Sequence, residues 1–158
     1  MSVTDKGKFH HTAFIVKDIE KTAATLAKSL SIQWGLWTVE PTASTVHGQD
    51  VHFSFRAAFA QVGEASYELI EPLSGESVYV EHLKTKGEGF HHTCIAYPSV
   101  EALRMAKDEL VNQGREIVQS AMVGEAAEFY YFDIPELGSI LELLYLAESE
   151  AHPEKTIG

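Results

Sequence analysis

Two histidine doublets and two carboxylates set in apolar runs are the residues of this chain best suited to chemistry. Phe9-His10-His11-Thr12 recurs about eighty residues later as Phe90-His91-His92-Thr93. Each copy is followed downstream by an acid: Glu68 in Tyr67-Glu68-Leu69-Ile70, and Glu142 in Ile140-Leu141-Glu142-Leu143-Leu144. Two imidazoles and two carboxylates suit one divalent transition ion such as Zn, Ni, Co, Fe or Mn, with room left for water or substrate oxygens. A closed structural zinc site would call for thiolates, and Cys94 is the only cysteine. An open coordination position is what a Lewis-acid catalyst needs. Taken singly, a strand histidine is more often a hydrogen-bonded core residue, and a strand carboxylate more often pairs with a Lys or Arg. The repeated His-then-Glu order favours a shared site.

Side chains two apart on a strand share a face. Glu142 therefore shares its face with Ile140 and Leu144, where an ionised carboxylate would cost several kcal/mol (~3–5) unless paired or bound to a cation. Glu68 is flanked by Ser66 and Ile70, His11 by Phe9 and Ala13, and His92 by Phe90 and Cys94. Alternation leaves open which histidine of each doublet is the ligand.

The elements that must position these groups read as two copies of one order. After the first His-containing strand, Asp18 caps a helix with Ile19, Ala23, Leu26, Ala27 and Leu30 at helical spacing. Next comes the stretch 32–37, then a loop carrying Pro41, Ser44 and Gly48, and strand-like stretches follow at 51–55, 57–62 and 66–71. A short linking helix over 77–83 leads to the second doublet. Ser99 then caps a helix bearing Val100, Leu103, Ala106, Leu110 and Val111, with Gly114 at its end. Strands at 116–120, 128–133 and 139–145 complete it. Each half reads β-α-β-β-β, an internal duplication. The modules run over about 9–71 and 90–146 within a single domain, residues 1–158, and the polar tail 147–158 reads as mobile.

The net charge of −11 argues against nucleic acid, whose backbone calls for a basic face. It also gives no long-range attraction to a polyanionic substrate. No apolar run reaches the ~20 residues of a membrane span, the polar start lacks a secretory h-region, and one cysteine excludes an intrachain disulfide. The expected address is the cytoplasm.

At the doublets and carboxylates the chain resembles the vicinal oxygen chelate (glyoxalase/bleomycin resistance/dioxygenase) superfamily. Within it, Glu68-Leu69-Ile70-Glu71-Pro72-Leu73, Gly87-Glu88-Gly89-Phe90-His91-His92 and Leu137-Gly138-Ser139-Ile140-Leu141-Glu142-Leu143 are most similar to methylmalonyl-CoA epimerase-like proteins. The resemblance implies an α+β fold in which two tandem βαβββ modules form a curved mixed sheet around a metal site. Its register selects His11 and His92 as ligands, with Glu68 and Glu142. It implies a homodimer and a metal-dependent lyase or isomerase, epimerase-like or glyoxalase-like, that removes a proton next to the carbonyl of a small carbonyl compound or acyl thioester. Glu142 and Glu68 would then be the catalytic carboxylates, in an apolar setting that raises carboxylate pKa values. The second acid/base carboxylate of epimerases has no Glu in register here; His52 falls near its place, with Glu40 and Asp50 displaced. Arg56 is a candidate clamp for a substrate carboxylate, and Trp37 a candidate pocket wall. Two other classes carry the same fold: a small-molecule sequestering protein, against which four intact ligands count, and an Fe(II) ring-cleaving dioxygenase, against which the fourth ligand counts.

Overall fold

The computed structural model describes residues 2–149 and 151–158; Met1, at the polar start, and Glu150, within the tail, lie outside the described residues. The first module comprises β1 (Lys8–Ile15), α1 (Ile19–Leu30), β2 (Trp34–Val39), a hairpin of β3 (Ala43–Val46) and β4 (Gln49–Asp50), β5 (Ser54–Val62) and β6 (Ala65–Ser74). After α2 (Val78–Thr85) the second module adds β7 (Gly89–Ala96), α3 (Val100–Asn112), β8 (Ile117–Val123), β9 (Ala127–Ile134) and β10 (Ser139–Leu146). A last short strand, β11, covers Lys155–Ile157.

The helices start where their caps dictate. The Asp18, Ser77 and Ser99 side chains accept from the amides of Lys21, Val80 and Ala102, each satisfying a donor that the first turn leaves free.

All strands join one sheet in the order β11-β2-β5-β6-β1-β7-β10-β9-β8-β3-β4. β1 and β7 run antiparallel at its middle, with β6 parallel to β1 and β10 parallel to β7. The order β2-β5-β6-β1 is therefore mirrored by β8-β9-β10-β7, as two copies of one module require. Residues 40–42 alone connect β2 to β3, although these strands lie near opposite ends of the sheet. Four Cα steps reach no more than ~14 Å, so the sheet curls until its ends approach each other.

Alternation along the curled strands divides the core in three. One face carries Ala13, Ile15, Phe55, Ala57, Ile70, Cys94, Tyr131 and Leu144, closed by Val78 and Tyr79 of α2. On the other face, α1 packs Ile19, Ala23 and Ala27 against Trp34, Leu36, Ala58 and Leu69. Beyond the middle of the sheet, α3 packs Leu103, Ala106 and Leu110 against Phe132 and Leu143. The α+β fold of two βαβββ modules is as the sequence implies.

Three local expectations are corrected. The stretches 51–55 and 57–62 form one strand, β5, that starts at Ser54, because Arg56 continues the ladder opposite Glu71. The expected loop after β2 instead folds into the β3–β4 hairpin and adds to the edge of β8. The tail does not end free: Lys155, Thr156 and Ile157 pair with Leu36, Gly35 and Trp34 of β2. Glu154 fastens that pairing by accepting from the Thr38 amide and hydroxyl.

Candidate metal centre

The two central strands and their parallel neighbours each contribute one donor to a single point inside the curl. Because β1 pairs with β6 and β7 with β10, His11, Glu68, His92 and Glu142 all project to that face, and all four are buried. Their donor atoms lie within 4.8 Å of one another. His11 Nε2 is 2.9 Å from Glu68 Oε2 and 3.0 Å from Glu142 Oε2. His92 Nε2 lies 2.9 Å from Glu142 Oε2, 3.6 Å from Glu68 Oε2 and 3.2 Å from His11 Nε2.

The donor set fits a divalent cation. Bonds of ~2.0–2.2 Å at angles between octahedral and tetrahedral place neighbouring donors about 2.8–3.6 Å apart, the range these contacts span. Glu142 Oε2 makes the more specific case. It sits within hydrogen-bonding distance of both ring nitrogens, yet it is fully buried with no aligned hydrogen bond among the described residues. Lone pairs that point at a common centre, rather than at one another, have that geometry.

Electrostatics within the cluster are strong and reciprocal. Burial acts to lower the His11 and His92 pKa values, but Glu68 beside His11, and Glu142 with Glu68 beside His92, raise both above the ordinary imidazole value. Burial acts to raise Glu68 and Glu142, but the two imidazoles outweigh it and hold both carboxylates below their usual range. The expectation that apolar surroundings leave these acids with raised values is therefore corrected, because the histidines are closer than the apolar walls are effective. The two carboxylates would balance the charge of a divalent ion held among these donors.

Each doublet is a β-bulge. Phe9 faces Ile95 and His11 faces Cys94, leaving His10 without a partner; Ala13 faces His92 and Phe14 faces Phe90, leaving His91 without one. Bulges break the alternation, so consecutive histidines lie side by side. His10 Nδ1 is 2.7 Å from His11 Nδ1, and His91 Nδ1 is 2.8 Å from His92 Nδ1. Burial holds His10 and His91 below the ordinary imidazole value. The second histidine of each doublet is the one that reaches the cluster.

The two sides of the cluster differ. His91 is walled in by Tyr79 and His82 of α2 and by Tyr131. His10 is partly exposed, next to Phe59 at 6.3 Å between ring centroids, and Phe59 in turn meets Trp37 at 6.1 Å. Trp37 thus lies on the more open side of the cluster, one ring removed from it. Phe59, Tyr131 and Tyr79 were not singled out as site residues by sequence reasoning; an aromatic on the strand before each carboxylate-bearing strand is the signal that could have found the first two.

The other candidates lie elsewhere. Arg56 turns to the α1 face, where Nη2 donates to Glu20 Oε1 at 2.7 Å, because it is one residue out of phase with Phe55 and Ala57. It is not a clamp at the cluster. The His52 side chain is exposed in the segment before β5, whose backbone is pressed against Gly75; a Cβ there would stand 2.0 Å from the His52 carbonyl oxygen. Glu40 and Asp50 are exposed on the surface, outside the cluster. Cys94 is fully buried opposite His11. No described helix is long and apolar enough to cross a membrane.

Comparison with known proteins bears on the fold and the family. The chain is 32% identical over 105 residues to human mitochondrial methylmalonyl-CoA epimerase, and 31% over 104 residues to its bovine counterpart. These matches cover 66% and 65% of this chain but 54% of each relative, so the chain spans about half the length of the curated relatives it matches. A hypothetical protein of Bacillus halodurans C-125 superposes with a TM-score of 0.63 at 22% identity, covering 92% of this chain and 99% of that one. A variant of Streptomyces coelicolor methylmalonyl-CoA epimerase in complex with 2-nitronate-propionyl-CoA superposes with a TM-score of 0.63 at 18% identity, over 89% of this chain and 98% of that one. Both superpositions establish the vicinal oxygen chelate fold. Residues 10–132 match the family model of the glyoxalase/bleomycin resistance protein/dioxygenase superfamily. The chain belongs to that superfamily.

Proposed function

We propose that this chain is a metal-dependent isomerase that removes and returns the proton next to a thioester carbonyl, in the manner of a methylmalonyl-CoA epimerase. The observation that carries this reading is the convergence of His11, Glu68, His92 and Glu142 on one point, with Glu142 Oε2 buried and lacking an aligned hydrogen bond. These four residues would hold one divalent transition ion. When bound, that ion supplies Lewis-acid polarisation of a carbonyl oxygen.

The chain's own residues supply the rest. Glu142 and Glu68, one from each module, would be the two proton carriers at a bound carbon. Removing a proton on one side and returning it on the other inverts the configuration. The apolar wall of Ala13, Ile15, Ala57, Ile70 and Leu144 excludes water from that transfer. Substrate reaches the cluster from the side of His10, Phe59 and Trp37, since α2 covers the side of His91.

The similarity to curated methylmalonyl-CoA epimerases supports the substrate class. With no Glu at the usual second acid/base place, the same donors also suit a glyoxalase-like lyase or isomerase acting on a smaller carbonyl compound. A homodimer is proposed on family resemblance alone.

The test is to incubate the metal-loaded protein with methylmalonyl-CoA in deuterated water and follow the α-proton by NMR. Loss of that signal at an enzymatic rate is expected. Exchange no faster than background would remove this substrate, and protein that binds no transition metal at all would remove the enzyme reading.

A further inference from the structure

The first histidines of the two doublets are fully placed by the fold yet have no part in the reaction so far. A strand normally turns adjacent side chains to opposite faces. Here two bulges, related by the internal duplication, bring His10 beside His11 and His91 beside His92. The rings meet nearly edge to face in both copies, at interplanar angles of 79° and 82°. In both, Nδ1 faces Nδ1, while the Nε2 atoms of His11 and His92 point at the four-residue cluster. A bulge disrupts the ladder and leaves a residue unpaired. That the same one occurs in each module, at the same histidine, calls for a reason beyond the path of the chain.

We infer that His10 and His91 are positioning residues that hold His11 and His92 in the one tautomer able to bind a cation through Nε2. The inference rests on the metal reading above. A neutral imidazole that offers its Nε2 lone pair carries its proton on Nδ1. Between two facing Nδ1 atoms there is room for one proton. His11 and His92 therefore donate from Nδ1, and His10 and His91 accept on a bare Nδ1, with their own proton on Nε2. Such outer partners are usually carboxylates, carbonyls or water. A neutral imidazole does the same without adding charge, which suits this cluster: two carboxylates already balance a divalent ion, and a further anion would leave net negative charge in an apolar interior.

The two partners are not equivalent. His91 is buried against Tyr79, His82 and Tyr131, so its ring is clamped by packing. His10 is partly exposed and rests on Phe59. The half-exposed partner is the one that can be changed with least cost to folding.

The experiment titrates Co2+ into metal-free wild-type protein and into His10→Phe, His10→Asn and His91→Asn, with chelator competition to give affinities. His10→Phe keeps a ring but removes the acceptor, and should weaken Co2+ binding about 10–100-fold. His10→Asn and His91→Asn place an amide oxygen where Nδ1 stood, and should bind within a few-fold of wild type. Long-range proton–nitrogen NMR of wild-type protein loaded with Zn2+ should show His10 protonated on Nε2 and bare on Nδ1. That readout needs no variant and does not depend on activity. Wild-type affinity in His10→Phe, or a proton on His10 Nδ1, overturns the inference while leaving the metal reading intact. Wild-type protein that binds neither Co2+ nor Zn2+ overturns both.

Discussion

Phe59 and Tyr131 hold the same place in the two modules. Phe59 lies opposite Glu68 with its ring 5.4 Å from His11, and Tyr131 lies opposite Glu142 with its ring 4.8 Å from His92. The duplication thus extends from the four donors to the aromatic rings that back them. The copies differ in one atom of consequence: the Tyr131 hydroxyl meets that of Tyr79 at 2.7 Å, which ties the buried side of the site to α2.

That hydroxyl pair is open to a double-mutant cycle. Tyr79→Phe strands the Tyr131 hydroxyl in a buried setting and should cost about 1–3 kcal/mol. Tyr79→Phe combined with Tyr131→Phe removes both polar groups and should recover most of the loss. Urea unfolding of the three variants against wild type measures both values; additive losses would show that the pair does not interact.

The cluster is tested by its least satisfied member. Glu142→Gln removes a negative charge from among His11, His92 and Glu68, and should weaken metal binding by more than the ~10–100-fold expected for an outer partner. Elemental analysis of protein purified without added metal should fall from about one transition metal per chain to a trace. α-Proton exchange should disappear in the same variant, and its survival would mean that Glu142 is not the base.

Trp37 and Arg56 occupy neighbouring positions of the β2–β5 ladder but face opposite sides of the sheet, and they give opposite expectations. Trp37→Ala removes a ring beside Phe59, worth about 0.5–1.5 kcal/mol, and should raise KM about 2–10-fold with metal content unchanged. Arg56→Ala should leave KM as it is, since the guanidinium is engaged with Glu20 on the α1 face. Steady-state kinetics on the two variants separate the faces.

The helix-to-sheet ion pairs set a pH dependence. Arg104 holds the Glu128 carboxyl below its usual value despite opposing burial, and Arg104 donates to both its oxygens. A carboxylate depressed in the folded state contributes stability above its unfolded pKa, and loses it as pH falls through the folded one. The window opens below the ordinary carboxylate value of 4.5. Glu128→Gln should be less stable than wild type at neutral pH, and the difference should shrink as pH falls through that window. Glu20, held at about 2 by Lys155 and Arg56 in the first module, should show the same trend more weakly because it is exposed to solvent. Urea unfolding at a series of pH values measures both.

Much of this molecule was legible from its residues. Asp18 and Ser99 are local signals, because a cap depends only on the next few amides, and each marks a helix start in the structure. The repeated doublets and the two strand carboxylates pointed to a duplicated fold, and the family register picked His11, Glu68, His92 and Glu142 as the groups that meet. The β3–β4 hairpin was not legible, since Ala43–Val46 becomes a strand by pairing with β8, more than seventy residues away. Nor was β11, whose three residues carry no periodic pattern and gain a partner only at β2.

The sequence by itself determined which chemical groups are present, in which order, and that they occur in two copies, because duplication and local propensity are written along the chain. The family register chose the second histidine of each doublet, but only the tertiary structure supplied the bulges that turn it to the cluster, turned Arg56 to α1, and laid α2 over one side while leaving the other open. All three depend on partners distant along the chain, and the doublets show it most directly. Strand alternation holds until a bulge interrupts it, and a bulge in β1 or β7 is defined by the partner strand rather than by its own residues.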